Sequence, residues 1–486
     1  MPKANQHVEI YHDELDDYMS RKKAAVDLQT YIGKLLVDKS VELVLFRNQI
    51  TDITISDLLR LHKYAREVVQ KEISIFDSSA LAKDIFEMNL APAKIDIGKL
   101  ASEWASEKDN HASRKDFLHD KLNHCLVENS HPFVPRDVVL FGFGRIGRLA
   151  ARELIRQGVG QQLRLRAIVL RSVDEKSIKK RADLFENDSV HGPFKGSVEI
   201  DYENMCLLIN GQRIYIIAST DSSTIDYTAY GIKNALVIDN TGAYTTAETL
   251  KIHTQAKGVD MALLTAPGSG MPNIVYGINH KELDRENTTL YSAASCTTNA
   301  ISPVLKVIND HLGIIKGHVE TIHAYTNDQN LLDNMHKKPR RGRSAAINMV
   351  ITSTGAGKAV AKVIPELEGK LTANAVRVPT PNGSLAILNL DIEKTTTNEE
   401  VLAIMKAAAL KGNLVNQIYY SISEELVSSD IIGNDCCAVF DSPATLVSPS
   451  GKNIILYVWY DNEFGYTKQV IRLAKYIAKV GRNIYY

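Results

Sequence analysis

The chain has 486 residues, 44% hydrophobic and 23% charged, the balance of a protein that buries a real core and long enough for roughly two to four domains. Lys plus Arg and Asp plus Glu both number 57, so no net field draws the chain to nucleic acid or to an anionic membrane, and no apolar run approaches the ~20 residues that span a bilayer. The start, MPKANQHVEIYHDELDDY, has neither the apolar core of a signal peptide nor the acid-poor character of a transit peptide, and a cytoplasmic location is expected.

Residues 1–133 read as a helical extension. Leu28, Tyr31, Ile32, Leu35 and Leu36 make one apolar stripe, and Leu58, Leu61, Ala65 and Val68 make another. The segment ENSHPFVPRD, with Pro132 and Pro135, then breaks the helical pattern as a linker does. From residue 134 the character changes. DVVLFGFGRIGRLAARELIRQG runs from an apolar strand through Gly142, Gly144 and Gly147 into a helix, the order in which glycines permit a tight turn and let backbone N–H groups reach a pyrophosphate. A dinucleotide-binding domain is therefore expected over 134–295. Residues 296–463 carry strand-like runs such as HVETIHAY, SLAILNLDIE and NIILYVWYDN, with one apolar face each, and read as a second domain with a largely antiparallel sheet. A final helix, with Val470, Leu473 and Ile477 in one stripe, is expected over 464–486, returning to the nucleotide domain.

Five cysteines (Cys125, Cys206, Cys296, Cys436 and Cys437) without a C-x-x-C pair or clustered histidines predict neither a disulfide framework nor a metal site, and Cys436 and Cys437 read as inert packing thiols. Cys296 is different. In SAASCTTNA it sits where the helix TTNAISPVLKVIND begins, with Pro303 in or near the first turn, and first-turn N–H groups lower a thiol pKa toward neutrality. The residues alone leave a buried thiol and a nucleophile equally open.

From Asp137 to the C-terminus the chain resembles the phosphorylating glyceraldehyde-3-phosphate dehydrogenases, through GFGRIGR, SCTTN, HAYTNDQ, STGAGKAV, VIPELEGKL, RVPTPN and WYDNEFGY in family order. The N-terminal third lies outside that resemblance. It implies an α/β Rossmann-type domain plus an α+β catalytic domain, a homotetramer, and NAD or NADP as cofactor. It implies that Cys296 attacks the aldehyde carbon of D-glyceraldehyde 3-phosphate, that His323 is the base, and that inorganic phosphate cleaves the resulting thioester. Thr326, Asp328 and Arg377 are implied at the substrate's own phosphate. Ser295, Thr297, Thr354 and Gly355, with Arg341 nearby, are implied at the attacking phosphate. Arg145 and Ile146, with Gly142, Gly144 and Gly147, belong by resemblance to the pyrophosphate site, Thr265 to the nicotinamide side, and Asn462 to the carboxamide.

One departure concerns cofactor choice. Where NAD-specific members place Asp at the end of the second strand, LRAIVLRSVDEK has Arg171, followed by Ser172, and the loop that carries Leu-Pro in such members reads Asn334-Met335. An Asp repels a 2′-phosphate and Arg171 attracts one, which predicts NADP in preference to NAD, unless a shifted turn presents Asp174 to the ribose instead. Two rival readings stand beside the main one. They are an erythrose-4-phosphate dehydrogenase, which hydrolyses its thioester, and a non-catalytic binding protein on a nucleotide fold.

Overall fold

A computed structural model describes residues 2–130, 133–158 and 160–486, so Pro132 of the expected linker lies outside the described residues. The chain divides into two compact units, residues 1–134 with 481–486, and residues 135–480.

In the first unit the helix Pro2–Lys39 turns Ala25, Leu28, Ile32 and Leu35 inward, and the helices Ile75–Glu87, Ile97–Glu107 and Arg114–Leu122 complete the core. The second expected stripe begins in helix Ile55–Tyr64 and passes into one wider π-helical turn, Ala65–Val69. The unit also holds a small sheet that the helical reading omitted. Its strand order is Asn48–Gln49, Glu42–Leu45, Ala93–Asp96 and Asn483–Tyr485. The last strand pairs parallel with Ala93–Asp96, so the C-terminal residues after the final helix do not continue that helix as the 464–486 reading had it. A buried ion pair fixes the tail. Arg482 Nη1 lies 3.1 Å from Glu42 Oε2, and Lys94 Nζ lies 3.2 Å from the other carboxylate oxygen.

The second unit has two sheets. The first runs in the order Leu290–Ser292, Val259–Leu264, Ala235–Asp239, Arg136–Phe141, Leu163–Leu170, Gln212–Ala218, Cys206–Ile209 and Val198–Asp201. Its first six strands are parallel and the last two antiparallel. Strand order reverses at Arg136–Phe141, and ligands of such sheets bind outside the carboxyl ends at that switch point. The second sheet runs Val350–Ser353, Leu371–Val378, Ile314–Ala324, Ser384–Ile392, Asn453–Tyr460, Ala438–Asp441 and Ile418–Ser421. It is antiparallel except where Ile314–Ala324 meets Leu371–Val378 and where the last two strands pair. Helix Phe464–Ile477 returns to helix Arg145–Gly158, where Lys468 Nζ lies 2.8 Å from the buried carboxylate of Glu153 and Lys475 donates to Gln157 at 2.5 Å.

Removing Arg482 leaves the buried Glu42 carboxylate with Lys94 and without its closer guanidinium, so Arg482→Ala is expected to destabilise the first unit by about 2 kcal/mol. Calorimetry checks this. The transition of the first unit should fall while that of residues 135–480 stays in place.

Candidate active site

Ser295 is the N-cap of helix Cys296–Leu312, its hydroxyl accepting the Thr298 N–H at 3.1 Å, which makes Cys296 the first helical residue. Pro303 is inside the helix rather than in its first turn. Proline has no N–H for the carbonyl four residues earlier, and Asn299 O accepts instead from the buried Cys437 thiol at 3.1 Å. Cys437 thus completes the helix that carries Cys296.

His323 is buried near the end of strand Ile314–Ala324, in parallel register beside Arg377 of strand Leu371–Val378. The Cys296 Sγ lies 3.6 Å from His323 Nε2. Nδ1 lies 2.7 Å from Ala324 O, which can only accept, and with the proton on Nδ1 the Nε2 lone pair faces the sulfur. Arg377 Nη1 donates to the same carbonyl at 2.8 Å and stands 2.8 Å from Nδ1, while its buried Nε has no protein partner. Edge-on contact with the Tyr460 ring, 5.9 Å between centroids, fixes the imidazole from the side, and Tyr460 Oη lies 3.1 Å from Thr297 Oγ1.

Burial, and after it the Arg377 charge, together push the His323 imidazolium down to about 3. Burial also raises the Cys296 thiol, against the opposing pull of Arg377 and of hydrogen bonds at Thr297. Thiol and imidazole are therefore both neutral at pH 7 among the groups present. The sequence expectation of a lowered thiol pKa is corrected here, because desolvation outweighs the helix terminus and one guanidinium.

Of the other predicted anion-binding residues, Arg341 is tied electrostatically to this pair. Arg341 ion-pairs with Asp328 and donates to Thr352 Oγ1 at 3.1 Å, and its charge reaches His323 and Arg377. Thr326 is in the turn between them, its carbonyl accepting the Gln329 N–H at 2.9 Å. Thr354 Oγ1 accepts the Ala356 N–H at 3.2 Å, and Gly355 caps the short helix Ala356–Ala361. In the sheet Val350 is opposite Arg377, which places Thr354 four residues further on, about 13 Å along the strand.

At the nucleotide end the glycines fit a dinucleotide. Gly142 has φ +90, a Cβ on Gly147 would meet Gly142 O at 2.5 Å, and beside Gly144 the space is open. Arg145 and Ile146 begin helix Arg145–Gly158, so their N–H groups are free of intrahelical bonds. The Arg145 guanidinium is committed elsewhere, to Asp188 at 2.6 Å and Glu463 at 2.5 Å. Thr265 donates its hydroxyl to Asp239 O at 2.9 Å. Asn462 Oδ1 accepts from Ser384 Oγ at 2.9 Å, which fixes the amide and directs its Nδ2 donors elsewhere. Arg171 is exposed just past strand Leu163–Leu170, and its charge reaches Tyr244. Asp174 is committed as the N-cap of helix Glu175–Glu186, accepting the Ser177 N–H at 2.7 Å.

Sequence reasoning missed Asp461, Asn382 and His191. Asp461 accepts from Asn382 Nδ2 at 2.8 Å and from the N–H groups of Gly433, Glu463 and Phe464, and lies 3.0 Å from His191 Nε2. Asp461 stands within WYDNEFGY, but His191 and Asn382 carry no local pattern that leads to it.

The glycine turn at the switch point of a parallel sheet, joined to a separate mixed sheet with a cysteine at a helix start, defines a dinucleotide-binding oxidoreductase. Residues 136–247 match the family model of the glyceraldehyde 3-phosphate dehydrogenase NAD binding domain, and residues 295–462 match that of the C-terminal domain. A glyceraldehyde-3-phosphate dehydrogenase-like protein of Pseudomonas aeruginosa (strain UCBPP-PA14) is 47% identical over 454 residues, 92% of this chain and 98% of that protein. Glyceraldehyde-3-phosphate dehydrogenase of Clostridium pasteurianum is 39% identical over 71% of this chain and 99% of its own length. Glyceraldehyde-3-phosphate dehydrogenase 2 of Synechocystis sp. (strain ATCC 27184 / PCC 6803 / Kazusa) is 42% identical over 70% of this chain and 98% of its own length. The chain belongs to the glyceraldehyde-3-phosphate dehydrogenase family, and its cofactor is a nicotinamide dinucleotide. Among the described residues no helix is long and apolar enough to cross a membrane, and no cluster of His, Cys, Asp and Glu suits a metal ion.

Brief alkylation is expected to label Cys296 ahead of the other thiols. Burial holds Cys125 up at about 11 and Cys436 at about 12, with Cys437 higher still, and it also raises buried Cys206 despite a hydrogen bond with Arg213. His323 stays neutral above pH 4, so the labelling rate should climb with pH from 7 upward as the thiol ionises. Peptide mapping reads the order. Equal labelling of Cys296 and Cys436 would mean that the helix start and Arg377 do not activate the thiol.

Proposed function

We propose that the chain catalyses the phosphorylating oxidation of D-glyceraldehyde 3-phosphate to 1,3-bisphosphoglycerate, and the reverse. The observation that carries this reading is the Cys296 Sγ to His323 Nε2 contact of 3.6 Å. The sulfur attacks the aldehyde carbon as its proton passes to Nε2, the atom that the Nδ1–H bond to Ala324 O leaves as acceptor. The imidazolium passes that proton to the oxyanion of the thiohemiacetal, which the Cys296 N–H also holds, and His323 Nε2 is free again as a base. A nicotinamide, when bound, would supply the hydride acceptor, and Asn462, its carbonyl held by Ser384, has amide hydrogens that would hold the carboxamide. His323 takes up the hydroxyl proton as the thioester forms. Phosphate adds to the thioester carbon, the C–S bond breaks, and the thiolate is regenerated.

The unpartnered Nε of Arg377 supports an anion beside His323, and we assign it the substrate's phosphate together with Thr326, with Asp328 orienting. Ser295, Thr297, Thr354 and Gly355 take the attacking phosphate, with Arg341 held nearby by Asp328. The pyrophosphate site is the Arg145 and Ile146 N–H pair over the open side of Gly144. A homotetramer, which the family resemblance implies, would give the exposed apolar side chains of Leu331, Leu332, Met335, Ile347, Met349 and Ile351 a surface to pack on. We place the enzyme in the cytoplasm.

Steady-state kinetics with glyceraldehyde 3-phosphate, with each cofactor and with or without phosphate, tests the reading. Cys296→Ala should lose at least about a thousandfold in kcat, since removing a covalent nucleophile costs that order, while cofactor binding is kept. Turnover that does not depend on phosphate would point to thioester hydrolysis instead.

The cofactor we propose is NADP, with NAD as the weaker alternative. Arg171 stands where a ribose-binding Asp would repel the 2′-phosphate, and Asp174 is spent on capping. A charge-assisted hydrogen bond contributes about 1.5–3 kcal/mol, so Arg171→Asp should shift the NADP-to-NAD ratio of kcat/KM by roughly tenfold to a hundredfold toward NAD. An unmoved ratio would show that Arg171 does not choose the cofactor.

A further inference from the structure

The N-terminal helix carries two apolar faces, and the core covers only one of them. Ala25, Leu28, Ile32 and Leu35 face the core. Tyr11, Leu15, Tyr18, Met19 and Val26 are each 40% exposed or more. At about 100° per residue these five, with the stem of Lys22, fall within an arc of about 100° that is rotated away from the core face. From Ile10 to Lys23 every side chain is exposed, so this part of the helix, roughly four turns, gains nothing from packing. A helix of that length is marginal in water without a partner.

The charge along the same stretch says what the partner is. Asp13, Glu14, Asp16 and Asp17 precede the stripe's midpoint at Tyr18 and Met19, and Arg21, Lys22 and Lys23 follow it. A second copy laid antiparallel about that midpoint puts Tyr11 against Val26 and, on the two flanks, Glu14 beside Arg21 and Asp16 beside Lys23, twice over by symmetry. A parallel copy would put acid on acid and base on base. The surroundings agree in sign. A cleft of about 530 Å³ adjoins the stripe at Tyr18 and Arg21; Arg60 and Lys63, paired with Asp57 and Glu67, line it with Arg66 and a single acid, Glu72. The acidic turn of an antiparallel copy would run beside this basic rim.

We propose that this face pairs two copies of the chain through an antiparallel helix contact centred on Tyr18 and Met19. The contact is independent of the catalytic unit, so it does not depend on the reaction proposed above. Its apolar stripe supplies the attraction, and its charges set the direction, as they do between paired helices generally.

The test is a disulfide trap in the full-length protein. In Tyr11→Cys/Val26→Cys the two new thiols of one chain are about 22 Å apart along the helix and cannot join, whereas an antiparallel pair brings each within bonding reach of the other in the second copy. Mild oxidation should convert most of the protein to covalent pairs, with peptide mapping showing 11–26 links. The yield should fall at least tenfold when Glu14→Lys and Asp16→Lys are added, and return when Arg21→Glu and Lys23→Glu are added as well. Links of 11 to 11 and 26 to 26 would overturn the antiparallel assignment. No links, or a yield indifferent to the charge reversals, would overturn pairing on this face. Circular dichroism of each variant separates loss of the helix from loss of the contact, and Leu15→Glu alone, in a folded protein, should abolish the links of the double-cysteine chain.

Discussion

The Asp461 carboxylate is the point on which the catalytic unit turns. Taken out of water, a carboxylate needs its lone pairs filled, and both oxygens here are: one by Asn382 and the N–H groups of Glu463 and Phe464, the other by His191 and the Gly433 N–H. Burial alone would raise its pKa, but His191 and these donors hold it below the ordinary value, so it stays charged. Each partner comes from a different piece of chain. Asn382 is in the turn between two strands of the catalytic sheet, His191 follows the helix after the second nucleotide strand, and Glu463 goes on to grip Arg145 at the head of the glycine-turn helix. One buried charge thus sets the catalytic sheet, the nucleotide site and the final helix in register, and Asn462, its neighbour in sequence, is carried into place with them.

The parts of the fold set by local periodicity were legible in the sequence. The strand into GFGRIGR, the helix after Cys296 and the period-2 strands of the second sheet each follow from residues close together in the chain. What was not legible depends on partners far away. The sheet of the first unit is made of strands of two to four residues, too short to show alternation, and one of them comes from the other end of the chain. Nothing in NIY announces a strand until Ala93–Asp96 is beside it.

The site divides in the same way. Cys296, His323 and Arg377 stand together as their motifs imply, because a parallel strand pair and a helix start position them. The fate of individual charges was hidden. Arg145 reads as a phosphate ligand until Asp188 and Glu463 claim its guanidinium, and Asp174 reads as a ribose ligand until the Ser177 amide claims its carboxylate. Pro303 looks like a first-turn residue because helix starts tolerate proline. Its interior position rests on Cys437, more than a hundred residues on, whose thiol fills the vacant bond.

Neutrality of the Cys296–His323 pair bears on how the site acts. Arg377 Nη1 stands 2.8 Å from Nδ1, on the side of the ring away from the sulfur, so its charge opposes an imidazolium at close range. An anion on the unpartnered Arg377 Nε offsets that charge and raises both the imidazole and the thiol. The ring is nearer the guanidinium than the sulfur beyond it, so the imidazole gains more. With the substrate's phosphate at Arg377, as proposed above, transfer of the thiol proton to Nε2 would become easier than in its absence. The helix start, too weak to overcome desolvation by itself, would then act on a thiolate that forms beside its own imidazolium and where its carbon target is already held.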